Sequence, residues 1–181
     1  MLDGTKFKAW QIATFIGLGI LALAAGMYFG DQRQQASVAA GQSHLQPFTL
    51  PDSQGTPRSS SEWRQKPLLI NFWATWCKPC REELPLFVET QKQFPDNELQ
   101  VLAIALDSPD AVKRFMQDIG FNFPSLIAEA EGMDMMGLYG NTGALPFTIA
   151  VDAERRIVGK RLGKINQHQI DTFVQNLVEG T

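Results

Sequence analysis

The 181-residue chain has two cysteines, and both fall in one short stretch, Cys77-Lys78-Pro79-Cys80. The pair lies at the junction between an apolar run, Leu68 to Trp73, that reads as a buried strand, and a following segment that reads as a helix. A disulfide closing so short a loop removes little chain entropy, which argues against a purely structural bond. A tetrahedral zinc site needs four ligands, and the chain's two histidines, His44 and His168, lie far away in sequence. At a helix start, unpaired backbone N–H groups and the positive end of the helix dipole favour the thiolate of Cys77. Cys80, one turn further in, suits a resolving role. Pro79 cannot donate an N–H, which matters little in a first turn. Redox chemistry is the reading these residues favour.

The segment Asn71-Phe72-Trp73-Ala74-Thr75-Trp76-Cys77-Lys78-Pro79-Cys80, followed by Arg81-Glu82-Glu83-Leu84-Pro85, resembles the active-site segment of the thioredoxin superfamily. More narrowly, it is similar to that of the membrane-tethered bacterial TlpA, ResA and CcmG/DsbE type proteins. The resemblance extends over about residues 47–181 and implies an α/β thioredoxin-like fold, a mixed central sheet flanked by helices. It also implies a thiol-disulfide oxidoreductase that reduces disulfides of extracytoplasmic client proteins, as in cytochrome c maturation. The redox-active disulfide Cys77–Cys80 would serve without a further cofactor or metal. A membrane electron donor of DsbD or CcdA type would re-reduce it.

Other positions match the same pattern. Pro85 falls inside the helix, where it removes a hydrogen bond and bends the axis. Gly143 to Asp152 resembles the family's cis-proline segment, which makes Pro146 the cis proline and places Leu145 and Pro146 beside an extended substrate. Glu83 matches an acid that, if buried, passes protons to and from the thiols. Glu82 and Glu83 also read as first-turn acids complementing the helix dipole. Lys78 gives the Cys77 thiolate modest electrostatic support, Trp76 covers the site, and Trp73 packs in the core. Reductants and oxidants share this fold, so a disulfide-introducing oxidant stays open. So does a non-enzymatic module delivering a metal or binding a partner through its thiols. Met133, Met135 and Met136 suggest Cu(I), but their spacing does not put all three on one helix face.

The N-terminus carries a second signal. Lys6 and Lys8 precede an apolar run from Ala9 to Phe29, about 21 residues, long enough to span a bilayer as a helix. Trp10 and Tyr28 sit near its ends and the lysines place the N-terminus in the cytoplasm, although Asp3 and Arg33 weaken that contrast. The expectation is a single-pass anchor in the cytoplasmic (inner) membrane over residues 1–30, with the catalytic domain in the periplasm or its equivalent. A cleaved signal peptide competes, since Ala22-Leu23-Ala24 and Val38-Ala39-Ala40 resemble cleavage sites. Residues 31–46, rich in Gln, Ala, Ser and Gly, read as a flexible linker containing a solvated His44. A net charge of -3 offers no basic excess for nucleic acid.

Within residues 47–181 the expected order is strand, helix, strand, helix, strand, helix, hairpin, helix. An N-terminal hairpin, Pro47 to Asp52 with a turn at Ser53 to Pro57, precedes the core. Ser59 to Lys66 reads as polar surface. Leu99 to Leu106 is a buried strand. Ser108 caps a helix ending at Gly120. An inserted strand near Ser125 to Ala128 and a helix near Gly132 to Tyr139 follow. Asn166 and Gln169 form a capping box for a last helix, with His168 exposed.

Overall fold

A computed structural model describes residues 14–23, 25–26, 41–94 and 98–178, and the chain divides into two units, residues 1–36 and 37–181. In the first unit, residues 14–23 and 25–26 are helical, and Phe15, Ile16, Leu18, Ile20, Leu21 and Leu23 are all exposed. At 100° per residue these positions fall all around the helix, which therefore has no polar face. Among the described residues no helix is long and apolar enough to cross a membrane. The rest of the expected 9–29 span, and positions 31–40 of the expected linker, lie outside the described residues.

The second unit begins with a small antiparallel hairpin, β1 (Thr49–Pro51) and β2 (Pro57–Ser59), and a 3-10 turn (Ser60–Trp63). Then come β3 (Leu68–Trp73), α1 (Lys78–Gln93), β4 (Gln100–Ala105), α2 (Pro109–Ile119), β5 (Ser125–Ile127) and α3 (Glu131–Leu138). The chain closes with β6 (Phe147–Val151), β7 (Ile157–Leu162) and α4 (Gln167–Val178). The strands form one sheet in the order β5-β4-β3-β6-β7. β3 pairs parallel with β4 and antiparallel with β6, so the sheet is mixed, and the polar strand β7 lies at its edge, as expected. This is the thioredoxin-like α/β arrangement that the cysteine motif implies.

Every residue of β3 and β4 is buried, because the sheet is covered on both faces. Strand alternation sends Leu69, Trp73, Val101 and Ala103 to one face, against Leu84 and Phe87 of α1, Val112 of α2, and Ile170 and Val174 of α4. Leu68, Ile70, Phe72, Leu102 and Ile104 point to the other face, against Met136 of α3 and Leu45, Leu50 and Trp63 from the N-terminal segment.

Several details differ from expectation. Residues 41–46, read as the end of a linker, are fixed to the domain: Gln42 N–H donates to the Leu138 carbonyl, Leu45 N–H to that of Arg155, and Leu45 is buried. A tract without apolar periodicity hides this, because one buried leucine and edge hydrogen bonds hold it. His44 is exposed, but its backbone bridges to Arg156 instead of floating in a tether. Ser59 to Lys66 is no plain surface either, since it folds into the 3-10 turn and buries Trp63. Ser108 occupies the N-cap of α2 without a side-chain cap bond; its N–H instead donates to Asp107 Oδ1 at 2.7 Å. Gly120 ends α2 in the left-handed conformation, and Asn166 and Gln169 exchange their capping-box bonds, both as expected.

The sheet edge beside β4 depends on one glutamine. β5 pairs only with Ala103 to Ala105, which leaves the Val101 N–H facing an unpaired edge. Gln91 of α1 supplies the acceptor at 2.7 Å, and its amide donates to the carbonyls of Leu99 and Phe94. Replacing Gln91 with Ala orphans those buried groups, and urea denaturation should show unfolding free energy lowered by about 2 kcal/mol. A loss within a few tenths would mean that water or a shifted chain serves the edge instead.

Candidate redox site

The sheet topology gathers the site at one end. β3 runs out at Trp73, and its neighbour β6 starts at Phe147, which registers with Phe72. The turn after β3 and the loop before β6 therefore meet at the same end of the sheet. Cys77 is the N-cap of α1 and is disulfide-bonded to Cys80, with Cα atoms 5.3 Å apart. Cys77 retains 6% of its surface and Cys80 none, so an incoming sulfur reaches Cys77 first. Its sulfur also accepts the Cys80 N–H at 3.3 Å, a donor that an N-cap position leaves free. Pro79 occupies the first turn, and Pro85 lies inside the helix with no proton for the Arg81 carbonyl.

The loop facing this turn is built by Asn141. Its Oδ1 accepts the N–H groups of Gly143 and Ala144, each at 3.0 Å, and its amide donates to the Ala144 carbonyl at 2.8 Å. The loop ends in a cis Leu145–Pro146 bond, as the motif implies, and Leu145 packs against the cluster that contains Cys77 and Cys80. Gly163 N–H holds the Pro146 carbonyl at 2.8 Å. On the other side, Asp107 beyond β4 accepts both the N–H and the hydroxyl of Thr75, fixing the approach to Cys77.

Glu83 lies one turn after Cys80 and is wholly buried. It is therefore not a first-turn helix acid: α1 starts at Lys78, and neither Glu82 nor Glu83 falls in its first turn. Its Oε1 accepts from the Asn71 amide at 2.8 Å, and its Oε2 accepts the Ile165 N–H at 2.8 Å. The Asn71 amide also donates to the Thr148 hydroxyl at 3.1 Å. Burial pushes the Glu83 carboxyl up to about 7, against the opposing pull of those bonds and of Lys164 and Arg161. A carboxyl in that range gives and takes protons near neutrality, as a partner for thiol chemistry must. Glu82, in contrast, is exposed and paired with Lys164 at 2.6 Å, which holds its carboxyl below the ordinary range.

The remaining expected positions divide. Trp73 is buried and Lys78 exposed, as read from the sequence. Trp76 leaves 69% of its surface in solvent beside Cys77. The three methionines point apart: Met136 is buried, Met135 half-covered, and Met133 exposed with its methyl against Gly143. Among the described residues no group of three or more His, Cys, Asp or Glu is placed to hold a metal ion. Sequence reasoning missed Asn71, Asp107, Asn141, Thr148 and Ile165. Only Asn71 carried a signal, as the one amide in an otherwise apolar strand.

The AhpC/TSA family model matches residues 42–160. Thiol-disulfide oxidoreductase ResA of Bacillus thuringiensis (strain Al Hakam) is 29% identical over 131 residues, covering 72% of this chain and 74% of that protein. ResA of Bacillus subtilis (strain 168) is 28% identical over 172 residues, with coverage of 91% and 93%. Among solved structures, a thioredoxin-family thiol:disulfide interchange protein from Chlorobium tepidum TLS aligns with a TM-score of 0.68 at 27% identity, over 77% of this chain and 98% of that one. A DsbF homologue from Corynebacterium diphtheriae shares the fold, with a TM-score of 0.67 at 20% identity over 74% of this chain and 86% of that one.

The raised carboxyl makes stability depend on pH with a definite sign. An ordinary glutamate at 4.5 loses its proton in the unfolded chain first, while folded Glu83 keeps it to about 7. Stability from this group is full below 4.5 and falls as pH rises through that window, by about 3 kcal/mol in all. Glu83→Gln should flatten the profile, gaining on the parent protein by about that amount between pH 4 and pH 8 in chemical denaturation of the disulfide form. Parallel profiles for the two proteins would place the titration elsewhere.

Proposed function

This chain belongs to the AhpC/TSA family, and on that premise we propose that it is a thiol-disulfide oxidoreductase that reduces client-protein disulfides through Cys77 and Cys80. The observation that carries this is the Cys77–Cys80 disulfide capping α1, with a fully buried Glu83 one turn below it. In the reduced enzyme the Cys77 thiolate attacks one sulfur of a client disulfide. A mixed disulfide forms and the other client sulfur leaves as a thiolate. Cys80 then gives up its proton and attacks Cys77 Sγ, releasing the second client thiol and leaving the enzyme as the disulfide described above. Glu83, buried one helical turn after Cys80, is suited to hold that proton. Two electrons pass from enzyme to client in each cycle.

We place this chemistry outside the cytoplasmic membrane, with the N-terminal segment as anchor. The support is the helix of residues 14–23, exposed and apolar around its whole circumference, within a longer apolar run. Lys6 and Lys8 put the N-terminus inside. An enzyme oxidised at every turnover in such a compartment needs electrons from across the membrane, so a donor of DsbD or CcdA type completes the cycle. Cytochrome c maturation is the client pathway we propose from the resemblance of the Cys77–Cys80 segment to the ResA and CcmG/DsbE type; the ResA relatives support the thiol-disulfide chemistry.

Two measurements test the reading. With Cys80→Ser, mixed disulfides between Cys77 and clients should accumulate and be released by dithiothreitol; a variant that collects no adducts would remove Cys77 from the attacking role. The Cys77–Cys80 couple, equilibrated with thiol buffers, should lie near or below about -270 mV, the thioredoxin value. A potential near about -120 mV would make the protein an oxidant.

A further inference from the structure

At the end of β3 and β6 opposite the disulfide, a cleft of about 450 Å³ opens between the 3-10 turn and the turn joining β6 to β7. Arg155 and Arg64 line it, together with Ser60 and Ser61. Arg155 Nη1 is buried and has no hydrogen-bond partner. A buried guanidinium N–H without an acceptor is a costly arrangement in a folded protein unless something else supplies one. Burial, ahead of repulsion from Arg64, pushes the Arg155 guanidinium below its ordinary value, with Tyr139 opposing.

The nearby carboxylates do not relieve this charge. Glu154 also lines the cleft, but it lies 3.4 Å from Arg156 Nη2 and is 57% exposed. Glu62 is held by Arg58 and by the Ser59 N–H. Donors are plentiful instead. Ser60 Oγ accepts the Phe48 N–H at 3.2 Å, which leaves its own proton to give, and Ser59 and Ser61 share a single hydroxyl bond. Arg155 (φ 71°) and Gln65 (φ 61°), both on the wall, adopt the left-handed conformation that glycine or asparagine accepts at least cost. At Arg155 this conformation closes the turn between β6 and β7, where the Arg155 N–H donates to the Asp152 carbonyl at 3.0 Å, and it sets the arginine on the cleft wall.

We propose that this cleft binds a phosphate-bearing anion, clasped between Arg155 and Arg64 with the Ser60 and Ser61 hydroxyls donating to its remaining oxygens. A tetrahedral oxyanion accepts donors from several directions, and guanidinium forks suit two of them. The site is separate from the redox chemistry and does not depend on it. The same chemistry is offered by free phosphate and by the phosphodiester headgroup of an anionic lipid.

The test is calorimetric titration of the full chain in a neutral detergent at fixed ionic strength, with inorganic phosphate in one arm and glycerophosphoglycerol, a deacylated lipid headgroup, in the other. One-to-one saturable binding is expected, weakened about tenfold or more in Arg155→Gln and likewise in Arg64→Gln. A diester that binds at least as tightly as phosphate assigns the site to a lipid headgroup, and a preference for phosphate assigns it to the free ion. Arg64 is exposed, so its variant keeps the test alive if Arg155→Gln does not fold. Saturable binding by neither probe, or wild-type affinity in the folded variants, overturns the proposal.

Discussion

A carboxyl group with no solvent contact, set one helical turn from a disulfide, is the constraint around which this domain is arranged. Burying an ionised carboxylate in an apolar core is prohibitive without partners, and a neutral one still needs its oxygens satisfied. Glu83 meets those terms through two elements distant in sequence: the Asn71 amide from the centre of β3 and the Ile165 N–H from the segment before α4. Strand parity is what makes the first of these possible. Asn71 shares its parity with Leu69 and Trp73, the residues that face α1, so a polar residue at that position points at the helix that carries Glu83. Thr148, opposite Asn71 on β6, and Arg161, opposite Thr148 on β7, extend the polar row across the sheet. A polar row thus crosses the apolar core from Arg161 to Glu83, one helical turn from the disulfide.

The same topology explains why the site is rigid where it needs to be. Both the turn into α1 and the loop into β6 are irregular backbone, and irregular backbone needs side chains to meet its hydrogen bonds. Asp107 does this for Thr75, and Asn141 does it for Gly143 and Ala144. Each is a short polar side chain that reaches back to main chain a few ångströms away, a pattern that favours turns over regular structure. Cys77 and the cis Pro146 are consequently held from opposite sides by elements that do not touch the chemistry.

Much of this was legible in the residues alone. The strand, the helix with Pro85 inside it and the strand and helix after α2 follow from apolar runs, proline positions and turn chemistry, which are local signals, while the cis Pro146 came from the resemblance of Gly143 to Asp152 to the family's segment. What stayed hidden is non-local. Ser59 to Lys66 reads as surface because its one large apolar residue, Trp63, finds its core only when β1 and β3 are in place. Residues 41–46 look like tether because edge hydrogen bonds leave no mark on composition. Glu83 read both as a helix-dipole acid and, if buried, as a proton carrier; the helix start at Lys78 removes the first reading, and its burial and its bond from Asn71 meet the condition of the second. Asp107 and Asn141 resemble ordinary turn residues until their partners are known.

The two ends of the sheet carry opposite characters, and that separation bears on how the domain is used. β3 runs six residues from the Gln65 side to the Cys77 side, roughly 20 Å at strand rise. At one end the surface is a buried disulfide rimmed by Trp76 and Leu145; at the other it is a cleft lined by two arginines. The first described residues of the domain, Gly41 and Gln42, lie against Leu138 to Gly140, and the segment then runs to Leu45 and Pro47 on the wall of the arginine cleft. An anion fixed in the cleft would hold that end and leave Cys77 directed away from it. The arginine cleft and the disulfide are kept apart by the length of one strand.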